Sequence, residues 1–288
     1  MSNSNSESSA DFREFEHRGW EQSVVAYDTL FSPLTAQTIP AILEAVDVTP
    51  GMRVLDVATG PGRLAHALAE RGALVTAIDF SPSMVDRAKT ENPHANIDYC
   101  VGDAEALDFG DNTFDAVTMN YGILHLGRPT VAMSEAARVL QTGGRFAFSC
   151  WCTPDRAQGF AAVLDSVKAA GVTPPPLPPG PDFFRYSEPA TSTADLQAAG
   201  FENISVTEVD QRWQLSAGEA LFRAFFEGTA RTGGMLRALA PEDRARVQKL
   251  VVDFVDQTFA NGGAVEIPMP AIVTTGRRRS RELGQSLG

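Results

Sequence analysis

The sequence predicts an α/β protein with a mostly parallel sheet that carries helices on both faces. From Arg53 onward, short runs rich in β-branched residues alternate with longer amphipathic runs, and this alternation is typical of parallel strands joined by crossover helices. The candidate strands are RVLDV, ALVTAID, NIDYCV, FDAVTMN and GGRFAFSCW. Candidate helices lie between them, in GRLAHALAERG, SPSMVDRAK and TVAMSEAARVLQTGG. The pair Ser81 and Pro82 marks one helix start, because serine caps a helix and proline fits its first turn.

The rest of the chain is organised around this core. At 288 residues with 43% hydrophobic content, the chain can form one large domain with an elaborated cover. Proline-rich sequence interrupts the pattern after the fifth strand, in GVTPPPLPPGP. We therefore predict a disordered tail (1–10), a helical N-terminal cover (11–50), a nucleotide-binding core (51–152), a proline-rich segment and lid (153–190), a return to the core (191–210), a helical lid insertion (211–263), and a last strand, AVEIPMPAIVTTGR, with a tail (264–288).

Composition excludes several classes of partner. The formal net charge of −12 repels nucleic acid and anionic membrane surfaces. Three cysteines give neither a disulfide framework nor a zinc-ligand spacing, and we expect no metal. The first residues, MSNSNSESSA, lack the basic and apolar regions of a secretory leader, and no run is long enough to span a membrane. We expect a cytoplasmic protein, a monomer or a homodimer, that acts on a small molecule.

A glycine-rich turn, RVLDVATGPGRLA, follows the first candidate strand. Gly60 and Gly62 would let a ligand approach backbone N–H groups at a helix start. Asp79, nineteen residues after Gly60, suits the ribose-binding acid of a dinucleotide site, so a dehydrogenase is one interpretation. Asp56 argues against it, because a carboxylate beside the turn repels a pyrophosphate and attracts an ammonium or sulfonium group. S-adenosylmethionine carries both cations; alternatively, Asp56 simply caps the turn.

VLDVATGPG resembles motif I of the class I S-adenosylmethionine-dependent methyltransferases, and the likeness continues in order from about Tyr27 to Trp151. The sequences of these motifs are similar to those of the branch that includes ubiquinone and menaquinone methyltransferases and many natural-product enzymes. The resemblance implies a Rossmann-like, doubly wound sheet of seven strands with an antiparallel last strand. It also implies S-adenosyl-L-methionine as cofactor. One departure is Ala58, where the family often carries glycine.

The resemblance assigns cofactor contacts along the chain. Asp79 would hold the ribose hydroxyls, Phe80 and Met84 would pack on the adenosine, and Asp103 with the amide of Ala104 would face the adenine. The remaining candidates lie in the turn and after the fourth strand: Asp56, Ala58, Thr59, Gly60, Gly62, Asn120 and Tyr121. Taken one at a time, each of these residues could also cap a helix or a turn, or pack in the hydrophobic core.

Methyl transfer is an in-line displacement that needs few catalytic side chains. His125 follows the fourth strand and is the candidate base or acceptor-positioning residue, because imidazole titrates near the working pH; it could also only shape its loop. His17 is the next candidate. Tyr27 resembles the tyrosine that covers the methionine end of the cofactor in this branch, and could equally be a core aromatic. The segment from Phe183 to Tyr186 could line an acceptor pocket with apolar walls and one cation, and could equally be ordinary packing of the lid.

The sequence therefore predicts a methyltransferase that acts on an oxygen, nitrogen or carbon atom of a small, largely apolar metabolite. The alternative keeps the fold and cofactor but cyclises or isomerises a natural product, and a non-catalytic cofactor-binding module is a third possibility. The sequence NYGI after the fourth strand lacks the Pro-Pro-aromatic pattern of base-flipping amine methyltransferases. No tight pair of acids there indicates a catechol-type magnesium site.

Overall fold

The computed structural model describes residues 2–261 and 264–280, and a seven-stranded sheet forms its centre. The strands of the chain are β1 (Arg53–Val57), β2 (Leu74–Asp79), β3 (Ile97–Val101), β4 (Phe114–Met119), β5 (Leu140–Trp151), β6 (Phe201–Val209), β7 (Arg212–Leu215), β8 (Ala260–Asn261), β9 (Ala264–Pro268) and β10 (Ala271–Arg278). The central sheet has the order β3-β2-β1-β4-β5-β10-β6. Neighbours from β3 to β5 are parallel, whereas β10 is antiparallel to both β5 and β6. The predicted fold class is confirmed.

Helices cover both faces of this sheet. They are α1 (Ser2–Ala26), α2 (Ser32–Thr35), α3 (Ile39–Val46), α4 (Arg63–Glu70), α5 (Pro82–Glu91), α6 (Pro129–Val139), α7 (Gln158–Ala169), α8 (Pro189–Ala198), α9 (Gly218–Gly228), α10 (Arg231–Arg237) and α11 (Pro241–Phe259). The apolar faces of α3, α4 and α5 pack on one side of the sheet. Those of α6 to α9 and of α11 belong to a larger core that includes the other side. Burial on both faces explains why the strands read as nearly continuous apolar runs.

The N-terminal region differs from the prediction at its start. We predict a disordered tail over residues 1–10, but α1 already begins at Ser2; Met1 lies outside the described residues. No glycine or proline precedes Gly19, so nothing in the local sequence stops the helix from extending backwards. After α1, a π-helical turn over Tyr27–Phe31 leads into α2 and α3.

Two features of α1 and the π-helical turn attach the N-terminal cover to the core. Glu21 accepts hydrogen bonds from the hydroxyls of Ser81 and Ser83 at the start of α5. Burial alone would raise the pKa of Glu21, but these hydrogen bonds lower it. Asp28, which is buried, pairs with Arg63 at 3.0 Å and with Arg87 at 2.8 Å. The cover is thus held on the carboxyl-terminal side of the sheet by charged and capping contacts.

The predicted last strand is two strands. Its first part, β9, pairs with β7 and β8 in a separate small antiparallel sheet, and only β10 joins the central sheet. Pro268 and Pro270 cause the break, because proline has no N–H to donate to a ladder. The segment 211–263 therefore contains strands β7 and β8 as well as the helices α9 to α11.

The sheet reverses its winding between β1 and β4, where the chain crosses from one edge to the other. In open α/β sheets, ligands bind outside the carboxyl ends of the strands at such a switch point. The ends of β1, β2, β3 and β4 carry the candidate residues of the sequence analysis, so the topology brings them to one edge. Across the described residues, no helix combines the length and the apolar character needed to cross a membrane.

Candidate active site

A cleft with an empty volume of about 1090 Å³, which includes its open mouth, lies at this edge. Its lining contains most of the predicted site residues: Tyr27, Ala58, Gly60, Asp79, Phe80, Met84, Asp103, Ala104, Asn120, Tyr121 and His125. Asp56 and Thr59 line a smaller adjoining pocket, which Tyr27 and Gly60 also border. Gly62 lines neither.

The glycine-rich turn is held from within by Asp56. One carboxylate oxygen accepts from the Thr59 hydroxyl at 2.6 Å, and the other accepts from the Thr118 hydroxyl on β4 at 2.7 Å. Burial raises the pKa of Asp56 to about 6, although these hydrogen bonds act in the opposite direction. Asp56 therefore ties the turn to β4, as a turn-capping residue does.

Gly60 and Gly62 have different roles. Gly60 has a φ of +54°, and a Cβ there would meet only the Tyr27 ring at 3.9 Å, so its face is open towards the cleft. Gly62, with φ of +84°, precedes α4, and a Cβ there would lie 2.6 Å from the Tyr99 hydroxyl. Ala58 also has a positive φ, of 53°, a conformation that glycine adopts at lower cost. The family's frequent glycine at that position is explained by this backbone conformation.

Asp79 stands at the end of β2 and connects the turn to the next helix. One carboxylate oxygen accepts from the Gly60 N–H at 2.9 Å and the other from the Ser81 N–H at 3.0 Å. Burial raises the pKa of Asp79 to about 6. Each oxygen retains a lone pair, so the carboxylate can still accept hydrogen bonds from a ligand.

Asp103 follows β3 and contacts the N-terminal cover. Its carboxylate lies 2.6 Å from Nη1 of Arg13 on α1 and accepts from the Glu105 N–H at 2.9 Å. Arg13 is a cleft residue that the sequence analysis missed, because nothing in its local pattern distinguishes it from other charged residues on a helix surface. Between Asp79 and Asp103, the side chains of Phe80 and Met84 and the backbone of Gly102 give the cleft a largely apolar wall.

Asn120 and Tyr121 follow β4 and are bonded mainly to the protein. The Asn120 Oδ1 accepts from the hydroxyls of Thr38 and Ser149, at 2.7 and 2.5 Å, while its amide nitrogen donates to the Thr35 carbonyl. Tyr121 has a φ of +54° and its hydroxyl donates to Gln211 at 2.5 Å. Both border the cleft, but their polar groups chiefly fasten the cover and the sheet together.

Tyr27 begins the π-helical turn and lies between the cleft and the smaller pocket. Its ring meets Trp20 edge-on, with centroids 5.1 Å apart, and its hydroxyl is 3.5 Å from that of Thr35. Burial raises its pKa. A π-helical turn is often found at functional sites, and here it brings this ring over the glycine-rich turn.

His125 ends a 3-10 turn after β4, and its ring is fixed by residues of α1. Nδ1 lies 3.0 Å from Oε2 of Glu16, which is fully buried. The Trp20 ring meets it edge-on at 4.8 Å, and the Phe183 ring lies at 5.6 Å. His17, the second candidate, packs against Phe80 instead, at 5.2 Å, and is not among the residues that line the cleft.

The far side of the cleft is aromatic. Trp151, Phe160 and Phe183 line it. Within the predicted pocket segment, Phe183 is the residue that lines the cleft. Arg185 and the Tyr186 hydroxyl both bind Asp195. The ring of Phe184 packs against that of Phe160. Arg185 is not among the lining residues, and the cation on this side of the cleft is Arg231, at the start of α10. Long-range folding of the insertion brings Arg231 there, which local sequence does not reveal.

These residues fit an adenosyl ligand with a cationic sulfonium end. Carboxylates at both ends of an apolar wall suit the hydroxyl and amino donors of a nucleoside, and the open face at Gly60 leaves room against the backbone. The lining also contains more carboxylates than guanidinium groups, namely Asp79, Asp103 and Glu105 against Arg13 and Arg231. Within residues 2–261 and 264–280, no group of three or more His, Cys, Asp or Glu side chains could hold a metal ion.

Comparison with known proteins agrees with this geometry. Residues 55–148 match a family model described as a methyltransferase domain. A demethylmenaquinone methyltransferase of Renibacterium salmoninarum is 40% identical over 121 residues, which are 42% of this chain and 50% of that protein. The ubiquinone/menaquinone biosynthesis C-methyltransferase UbiE of a Ruegeria species is 39% identical over 111 residues, 36% of this chain and 44% of that protein. The chain thus spans about half the length of the curated relatives that it matches.

A solved structure extends the comparison to the fold. A protein of Bacillus halodurans has a TM-score of 0.53 at 21% identity, over 84% of this chain and 99% of that one. At this identity the likeness concerns the fold alone. Residues 55–148 thus match a methyltransferase domain, its sheet order is that of the matched fold, and its sequence is similar to those of demethylmenaquinone and ubiquinone/menaquinone methyltransferases.

Proposed function

We propose that this protein transfers a methyl group from S-adenosylmethionine to a small, largely apolar acceptor. The observation that carries the proposal is the composition of one cleft. Its near side has the glycine-rich turn, Asp79 and Asp103, and its far side has aromatic walls with His125 and Arg231. A cofactor site and an acceptor site in one cleft are what an in-line displacement needs.

When bound, S-adenosylmethionine would supply a methyl group on a positively charged sulfur. Asp79 would accept hydrogen bonds from the ribose hydroxyls and Asp103 from the adenine amino group, with Phe80 and Met84 packed on the adenosine. Trp151, Phe160 and Phe183 would hold an aromatic acceptor, and Trp20 and Tyr27 would help to exclude water.

The names of two relatives support a quinone-type acceptor. Both are named for methylation in menaquinone or ubiquinone biosynthesis, one as a C-methyltransferase. The aromatic walls suit a ring of that kind. No observation favours the cyclase alternative, because the sequence relatives carry methyltransferase names.

The experiment is a binding measurement followed by a transfer assay. Titration calorimetry with S-adenosylmethionine and S-adenosylhomocysteine tests the near side of the cleft. Formation of S-adenosylhomocysteine in the presence of quinols, hydroxylated aromatics or amines then tests transfer. We expect binding of both ligands and turnover with a quinol or phenol. Binding without turnover across all three acceptor classes would favour a regulatory module, and absence of binding would overturn the proposal.

A further inference from the structure

His125 is held by a buried network that the N-terminal cover supplies. Glu16 of α1 has 0% of its side chain exposed, and its Oε2 lies 3.0 Å from His125 Nδ1. The Trp20 indole N–H donates to the same oxygen at 3.2 Å. Its other oxygen, Oε1, lies 3.7 Å from Nε of Arg231 and has no hydrogen-bond partner among the described residues. One carboxylate thus joins an imidazole, an indole and a guanidinium group.

The contact with Glu16 points to which nitrogen of His125 carries a proton. Arg231 is the counter-charge that favours an ionised Glu16, and because an ionised carboxylate only accepts hydrogen bonds, Nδ1 would be the donor. In the neutral ring Nε2 is then left with a free lone pair. The ring borders the cleft, and Trp20 and Phe183 restrict its rotation. His125 is therefore prepared to accept a proton at Nε2.

The charges around Glu16 also favour its ionised form. A buried carboxylate is costly without a counter-charge, and here Arg231 is the nearest cation. Burial lowers the pKa of Arg231, and Glu16 acts in the opposite sense. Arg231 is therefore the counter-charge of Glu16 among the described residues nearest to it.

We propose that Glu16 is the positioning residue that makes His125 the base for methyl transfer. This inference rests on the proposed function. The acceptor's O–H or ring C–H proton passes to Nε2 of His125, and the electron pair freed on the acceptor forms the new bond to the methyl carbon. The carbon–sulfur bond breaks with its electron pair remaining on sulfur. The products are the methylated acceptor, S-adenosylhomocysteine and a protonated His125 that returns its proton to water.

The first test does not depend on catalysis. Long-range proton–nitrogen NMR of histidine-labelled protein reports the tautomer of each ring, and His125→Asn assigns the signal of His125. We expect a neutral His125 in the wild type to carry its proton on Nδ1, and Glu16→Gln to weaken that preference, since an amide can also donate. A wild-type ring protonated on Nε2, or an unchanged tautomer in Glu16→Gln, would overturn the inference.

The second test uses kinetics with a naphthoquinol and a simple phenol as acceptors. A general base contributes roughly 100-fold or more to the rate, so His125→Asn should lower kcat by at least about that factor. Glu16→Gln should lower kcat at least about tenfold while the KM for S-adenosylmethionine and the unfolding midpoint change little. Equal kcat for Glu16→Gln and the wild type would contradict the assignment.

Glu21→Gln is the matched control. Glu21 is also a carboxylate of α1 that fastens the cover to the core, but it contacts Ser81 and Ser83 rather than His125. Its replacement should leave kcat and the tautomer of His125 unchanged. If Glu21→Gln lowers kcat as much as Glu16→Gln, then Glu16 only anchors α1. Failure of calorimetry to detect S-adenosylmethionine would instead contradict the proposed function and leave the tautomer result standing.

Discussion

At the scale of single residues, Asp56 has a role that its place in the sequence leaves open. A carboxylate beside a glycine-rich turn argues for a cationic ligand, yet both of its oxygens are bonded to the hydroxyls of Thr59 and Thr118. Asp79, one strand away, accepts from backbone N–H groups and lines the main cleft, whereas Asp56 lines the smaller adjoining pocket. The two acids look alike in sequence, and their hydrogen-bond partners separate a structural role from a ligand-binding one.

We predict that Asp79→Asn weakens S-adenosylhomocysteine binding at least about tenfold, equivalent to about 1.4 kcal/mol. The amide lacks the charge of the carboxylate. Its NH₂ group would also face a backbone N–H that donates a hydrogen bond to the carboxylate in the wild type. Titration calorimetry measures the change. Asp98→Asn, the same replacement at an exposed position on β3, is the control and should bind like the wild type. Wild-type affinity in Asp79→Asn would contradict the assignment.

We predict that Asp56→Asn changes the pH dependence of stability. Burial raises the pKa of Asp56 to about 6 from an ordinary 3.8, so the folded state favours the protonated acid. That contribution to the free energy of unfolding is fully present below about pH 4 and is lost as pH rises through 6. Relative to the wild type, Asp56→Asn should therefore gain stability between pH 4 and 7. Denaturant unfolding of Asp56→Asn and the wild type at pH 4 and at pH 7 measures this difference in the free energy of unfolding. A difference that is the same at both pH values would refute the prediction.

At the scale of elements, α1 completes the cleft from outside the central sheet. It supplies Arg13 and Trp20 to the lining and Glu16 behind His125. Its helical pattern in the sequence does not show which of its side chains reach a ligand. Which side chains enter the cleft depends on how Asp28 docks the cover onto Arg63 of α4 and Arg87 of α5.

The start of α4 gives a prediction about the turn. Gly62→Ala should destabilise the protein for two reasons, a positive φ and a Cβ 2.6 Å from the Tyr99 hydroxyl. Gly171→Ala is the control, because Gly171 also has a positive φ, of 67°, but nothing lies within 4 Å of its Cβ. We expect a loss of about 1 to 2 kcal/mol for Gly171→Ala and about 1 to 3 kcal/mol more for Gly62→Ala. Equal losses in urea denaturation would show that Tyr99 does not constrain the turn.

At the scale of the whole molecule, the cleft is enclosed by segments far apart in the chain. The sheet gives its floor, the cover gives one wall, and Phe183 with Arg231 gives the other. Arg231 stacks on the rings of Phe12 and Phe183 and donates to the Pro181 carbonyl at 3.1 Å. The cover, the proline-rich segment and α10 are thereby joined over the site.

We predict that S-adenosylhomocysteine slows hydrogen exchange in the cover and around Arg231. A ligand in the cleft stabilises the closed arrangement of these segments and so reduces local opening. Mass spectrometry of exchanged peptides measures the effect over residues 12–30 and 229–237. Peptides of α8, which packs on β6 at the edge of the sheet, serve as the unaffected reference. Uniform slowing across the chain, or none in the cover, would contradict the prediction.

The sequence by itself determined the central sheet, the glycine-rich turn and the order of the acids along the strand ends, because these depend on local periodicity, on glycine conformation and on chain order. The same information placed Asp79, Asp103 and His125 at one edge. Pro268 and Pro270 mark where AVEIPMPAIVTTGR breaks, but tertiary structure decided which sheet each part joins, that Arg231 rather than Arg185 lines the cleft, and that Glu16 lies behind His125. Glu16 and His125 are 109 positions apart, and docking of whole elements, rather than local preference, sets which of these side chains meet.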